Sequence, residues 1–145
     1  MEDSIMAIQK DPIQAAKMPS LTNIELINRL LAYYRAFPED SFSADCLFKV
    51  HIKYSDLQAY EQSVAYGDTL IQLFPNYANK DFLLESLAST YDVLIEPRNP
   101  EKVQYYYELL LKENIKPTKR KDIEKRLKHI EMDFFEYSQY QMTGK

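Results

Sequence analysis

Glycine is almost missing from this chain, with two residues in 145. Tight hairpins and phosphate-cradling loops draw on glycine for backbone conformations that other residues resist. Its scarcity counts against an all-β fold and against most nucleotide-binding folds. Cysteine is scarcer still. Cys46 stands alone, so no disulfide can form within the chain. That fits a reducing compartment without excluding an oxidising one such as the periplasm. Long apolar runs are absent as well, and none approaches the ~20 residues that cross a bilayer. The opening MEDSIMAIQK places acids near the start and has no apolar h-region, so it does not read as a signal peptide. We expect either a cytoplasmic protein or a mature segment whose leader has been removed.

What is present points to one soluble helical domain. Hydrophobic residues make up 46% of the chain, enough for a core, and charged residues 28%, an ordinary share. Twelve tyrosines and seven phenylalanines supply large packing surfaces. The net charge of −4 argues against bulk nucleic-acid binding.

No segment alternates with period two for long, whereas helical spacing recurs throughout. Residues 1–20, interrupted by Pro12 and Pro19, read as an N-terminal arm. Thr22 with Glu25 predicts a capping box, and Leu21 with Leu26 a hydrophobic staple, opening a helix that Pro38 stops. Ser43 is the expected N-cap of the next helix, which carries Leu47, Val50 and Tyr54. A third helix is expected from near Gln58 to Pro75, and a fourth after Asn79. Asn99 followed by Pro100 predicts the cap of a fifth. Ile123, Leu127, Ile130, Phe134 and Tyr137 then form a 4-3-4-3 seam, which predicts a single last helix over 118–140 and a tail at 141–145.

The phrases YYRAFPED and LIQLFPNY end two helices in the same way, 37 residues apart, and ask whether one unit is written twice. Counted back from Pro75 to Ala44, Leu47, Val50, His51 and Tyr54 take unit positions 4, 7, 8 and 11, and Tyr60, Ser63, Tyr66, Leu70 and Pro75 take 17, 20, 23, 27 and 32. Leu84, Leu87, Ala88 and Tyr91 repeat the 4-7-8-11 spacing, and PEKVQYYYELL follows with Val103 at the small-residue place. This resembles the tetratricopeptide repeat, a helix-turn-helix unit of about 34 residues. His51 departs from the small residue favoured at position 8, and Gly67 from the aromatic at position 24. The resemblance covers residues 21–117 and implies an all-α fold, a short right-handed solenoid of antiparallel helix pairs with the last helix as its cap. The stretches AYYRAFPEDSFSADCLFKV and NPEKVQYYYELLLKE also resemble small tetratricopeptide-repeat lipoproteins of the Bacteroidetes cell envelope. That likeness implies a periplasmic, outer-membrane-anchored protein if a leader lies upstream. Without one, the chain reads as cytoplasmic.

Chemistry-bearing motifs are few. Cys46, His51 and His129 lack a clustered zinc spacing, and Cys46 sits on an apolar helix face as a core thiol would. Hydrolase elbows, Walker loops and dinucleotide fingerprints are absent. We therefore expect no enzyme, no metal and no cofactor. Lys116 to Lys128 holds seven basic and two acidic residues, +5, which leaves −9 on the rest of a chain whose net charge is −4. Contact with nucleic acid or anionic lipid is the alternative there. A solvated helix face with surface ion pairs to the interleaved acids is the plainer expectation. Tyr105 to Tyr107 cannot form one flat platform, because successive helical residues point about 100° apart.

In the repeat family, positions 2, 5, 9 and 12 line the concave face. Carried over, these are Asp45, Phe48, Ile52 and Ser55 in the first unit, and Phe82, Glu85, Ser89 and Asp92 in the second. The resemblance thus implies a scaffold that holds a protein or peptide segment in a groove with apolar residues rimmed by acids. The alternative is a structural subunit or homodimer joined through the C-terminal helix. A further option is that the N-terminal arm or the last helix fills the groove.

Overall fold

The structure, a computed structural model, describes residues 19–144, and of residues 19–21 the backbone alone. The expected arm at 1–20 and the Leu21 staple therefore lie outside the described side chains. Among the described residues the fold is all-α, with seven α-helices, and adjacent helices pack antiparallel within each of two compact units. The helices are α1 (Pro19–Ala36), α2 (Ser41–Asp56), α3 (Tyr60–Leu73), α4 (Lys80–Ser89), α5 (Pro100–Leu111), α6 (Pro117–Lys128) and α7 (Phe134–Thr143). A five-residue π turn, Thr90–Leu94, extends α4. The chain divides into two compact units at the Tyr77–Ala78 boundary, inside the span that the sequence presents as one repeat array.

The first unit is α1, α2 and α3. Leu26, Ile27, Leu30, Leu31 and Tyr33 of α1 bury against Cys46 and Val50 of α2. Each such side chain contributes about 1.5–3 kcal/mol. Cys46 is the core thiol that its helix face implied. Helix α1 begins at Pro19, so Thr22 lies within it and is no N-cap. Glu25 pairs instead with Arg29, one turn on, at 3.1 Å. At the α1–α2 corner the cap is Asp40 rather than Ser43. Asp40 accepts from the Phe42 N–H at 3.3 Å and also from the Tyr33 hydroxyl. The Tyr33 bond, then the Phe42 bond, hold its carboxyl below the usual range. Ser43 is buried and donates its hydroxyl to the Phe37 carbonyl.

The α2–α3 turn rests on Gln58, whose φ of 60° is left-handed, and the Ala59 N–H closes onto the Tyr54 carbonyl at 2.8 Å. That turn delays α3 to Tyr60, two residues past the expected start. The helices approach at His51 and Ser63. The Ser63 hydroxyl donates to the His51 carbonyl at 2.7 Å, and His51 Nδ1–H donates to the Ser63 carbonyl at 2.8 Å. The histidine that breaks the small-residue rule at position 8 is thus accommodated by hydrogen bonding. Burial holds its imidazole below the ordinary pKa, opposed by that backbone bond and by Asp68.

The second unit is α4 to α7. Leu84, Leu87, Ala88 and Tyr91 are buried, as are Val103, Tyr106 and Leu110 of α5. Tyr91 and Tyr106 stack with ring centroids 6.1 Å apart. Asn99 caps α5 as the sequence predicts, its side chain accepting from the Lys102 N–H at 3.1 Å with Pro100 following. Tyr105 is exposed and Tyr106 buried, as the 100° rotation requires.

The single last helix over 118–140 is corrected. The chain breaks at 129–133 between α6 and α7. Asp133 opens α7 with a capping box: its carboxylate accepts from the Glu136 N–H at 2.8 Å, and Glu136 accepts from the Asp133 N–H at 3.1 Å. Of the expected seam, Ile123 and Tyr137 are buried, whereas Phe134 stands exposed. The seam is therefore no continuous stripe on a single helix.

Candidate functional site

The groove positions fare differently in the two units. On α2, Asp45, Phe48, Ile52 and Ser55 fall along one side of the helix. Asp45 is exposed and the other three are half-buried. Tyr77 folds back over the start of this row: its hydroxyl donates to Asp45 at 2.8 Å and its ring meets Phe48 at 5.5 Å.

On α4, Phe82 is 57% exposed, and it borders a cleft of about 350 Å³ with Glu85, Leu110, Ile115 and Lys119. Glu85 accepts from Lys119 at 2.6 Å. Ser89 is half-buried and hydrogen-bonded to Tyr107, whose hydroxyl pKa is pushed up chiefly by burial. Asp92, expected as an acid of the groove rim, is buried. Its carboxylate takes Arg126 side-on, with Nε on Oδ2 and Nη2 on Oδ1, each at 2.8 Å. Arg98 Nε adds a third bond to Oδ1 at 2.7 Å.

A buried guanidinium, Arg126, and a half-buried one, Arg98, thus share one carboxylate. Arg126 also donates to the carbonyls of His129 at 2.9 Å and Met132 at 2.7 Å, and lies 4.6 Å over the Tyr137 ring. This one side chain fastens the α6–α7 break to the π turn. Burial raises the Tyr137 hydroxyl pKa, against the pull of Arg126.

Glu85–Lys119 and Asp92–Arg126 are both pairs 34 residues apart. An equal offset at two points means that α6 runs parallel to the axis of α4 and its π turn. Two of the counted groove positions, Glu85 and Asp92, are thus engaged by α6. A cleft of about 480 Å³ remains there, walled by Glu85, Tyr107, Lys119, Ile123, Phe134 and Tyr137.

A second cleft of about 480 Å³ lies on the other flank of α7, lined by Val93, Phe134, Phe135, Glu96, Arg98 and Asp133 among others. Val93 is 44%, Phe134 47% and Phe135 72% exposed. Sequence reasoning missed this apolar surface. Phe134 was assigned to the seam, and nothing in the local pattern announces that the π turn leaves Val93 in solvent. Arg98 points its Nε to Asp92, so Glu96 and Asp133 set the charge of the rim.

His51 is locked in the α2–α3 contact and His129 packs on Tyr140 at 4.4 Å. Among the described residues no three His, Cys, Asp or Glu side chains gather to hold a metal ion, and no helix is long and apolar enough to cross a membrane. Compared with protein-family models, with curated proteins and with solved structures, the chain matches none.

Proposed function

We propose that this chain is a non-catalytic interaction module that holds a segment of a partner protein. The observation that carries the reading is the Val93–Phe134–Phe135 cleft, where three large apolar side chains stand in solvent beside an acidic rim. An apolar side chain flanked by a lysine or arginine complements it, the apolar part on the rings and the cation toward Glu96 and Asp133. Phe82, and the Asp45–Phe48–Ile52–Ser55 row, are secondary contact candidates in the same reading.

The tetratricopeptide-like part of the proposal is supported by the burial of Leu47, Val50, His51, Ser63 and Leu70 in one hairpin and of Leu84, Leu87, Ala88, Tyr91 and Val103 in the other. Those are the signature positions a helix pair needs inside. A place in a cell-envelope complex rests on the resemblance alone.

Peptide-display selection tests the reading. The native chain should enrich peptides that pair an apolar residue with a basic one. Phe134→Ser with Phe135→Ser, with the circular-dichroism melt retained, should lose that enrichment. Undiminished enrichment by the double variant, or none by the native chain, rejects the proposal.

A further inference from the structure

Helix α6 sorts its cations. Lys119, Arg120 and Arg126 turn inward and find partners: Glu85, the carbonyls of Leu111 and Glu113, and Asp92. Lys121, Lys125 and Lys128 face outward at i, i+4 and i+7, one stripe about 10 Å long. Among the described residues none of these three makes an ion pair, although Asp122, Glu124 and Glu131 are interleaved with them in sequence. Among the described residues the ion pairs expected with the interleaved acids do not form, and Lys119 pairs with Glu85 of α4 instead.

The stripe borders a cleft of about 410 Å³ between α6 and α7. Among the described residues it is lined by Lys125, Lys128, His129, Tyr137, Tyr140, Gln141 and Gly144, none of which carries a side-chain carboxylate. Its floor is aromatic: the His129 ring lies 4.4 Å from Tyr140 and 6.1 Å from Tyr137. Gln141 is held to the Tyr137 hydroxyl at 3.1 Å. Cations without counter-ions beside tilted aromatic rings make a place for a group that is negative at one end and flat or apolar at the other.

We propose that this cleft binds an acidic peptide segment, with carboxylates on Lys125 and Lys128 and a neighbouring aromatic side chain on the His129–Tyr140 rings. Residues three apart on a helix hold their Cβ atoms about 5–6 Å apart, so the long side chains of Lys125 and Lys128 can reach alternate residues of an extended peptide, about 6–7 Å apart on one side. A carboxylate pair matches Lys125 and Lys128, the two cations of the stripe that line the cleft. A polyanion would need many more contacts and would meet the −9 carried outside Lys116–Lys128. The inference rests on the binding-module reading but uses the opposite flank of α7, so each can fail alone.

The test is fluorescence anisotropy with a labelled Gly-Glu-Gly-Glu-Phe-Gly probe, its glutamine counterpart, an oligo-dT and phosphatidylglycerol vesicles. The acidic probe should bind at low salt and weaken as salt rises. Lys125→Glu with Lys128→Glu, or the glutamine counterpart, should weaken binding about tenfold or more by removing or reversing the charge match. Tyr140→Ala should weaken binding while leaving its salt dependence unchanged. The paired lysine reversal is at exposed positions, and an unaltered melting curve confirms that it folds. No binding of the acidic probe at low salt overturns the proposal. So does binding indifferent to the reversal, a preference for oligo-dT or vesicles, or concentration-dependent self-association that the reversal abolishes. Peptide-display enrichment at the Phe134–Phe135 flank without acidic-probe binding would sink this inference alone. Loss of both would sink the module reading as well.

Discussion

Arg126 meets Asp92 side-on, two nitrogens to two oxygens at 2.8 Å, across 34 residues of chain. Both side chains are almost wholly withdrawn from water. Charges so placed are costly when one partner is lost, although here Arg98 stays on Asp92 Oδ1 at 2.7 Å.

Arg126→Leu is expected to destabilise the second unit by about 3 kcal/mol, the low end of the cost of breaking a buried pair, since Arg98 still compensates Asp92. Arg126→Lys should recover little of this, since an ammonium cannot serve both carboxylate oxygens and two carbonyls at once. Urea unfolding measures both. A lysine variant as stable as the native chain would show that the fork geometry does not matter.

The His51 contact predicts a pH dependence. Burial holds the folded imidazole neutral below its ordinary value. As pH falls below about 6.5, the unfolded chain takes up a proton that the folded chain declines, and stability drops. The loss runs down to the folded-state pKa and then levels off. His51→Gln should flatten this component of the stability–pH curve whatever it does to the absolute value. A curve of unchanged slope between pH 6.5 and 5 would remove His51 as its source.

Ser63→Ala removes a buried hydroxyl that donates to the His51 carbonyl, and should cost about 1–2 kcal/mol. Chemical denaturation followed by far-ultraviolet circular dichroism reads this directly. Ser63→Thr, which keeps the hydroxyl but crowds the crossing, separates hydrogen bonding from space.

The turn at Gln58 gives a backbone prediction. With φ at 60°, a β-branched side chain there is strained, so Gln58→Val should be about 1 kcal/mol or more less stable than Gln58→Gly. Equal melting temperatures for the two variants would contradict the left-handed turn.

Capping supplies a fifth. Asp133→Ala should lower stability by about 1 kcal/mol and raise amide exchange in the first turn of α7. Exchange unchanged at Glu136 and Tyr137 would argue against the capping box.

What the sequence made legible is what local chemistry controls. Pro38 and Pro75 stop helices, Asn99–Pro100 starts one, and the leucines at helical spacing are buried. The misreadings share a cause. The 4-3-4-3 spacing runs unbroken through His129–Asp133, yet Arg126 binds the carbonyls of His129 and Met132 in a non-helical path. Asp92 occupies a groove position by counting, but two arginines draw it inside. In both cases the deciding partner lies far along the chain or in backbone geometry, where no local pattern records it. Thr22 failed for a nearer reason: Pro19 begins the helix a turn earlier than the capping signal implied.

The reciprocal bonds between His51 and Ser63 carry a consequence for how the α2–α3 hairpin is aligned. Leucines facing one another tolerate a slip along the axis, since one oily neighbour serves nearly as well as the next. A donor and an acceptor on each side do not, because any slide or roll strands both at once. Two residues twelve apart in the chain therefore act as a registration pin, fixing the alignment on which every neighbouring apolar contact depends.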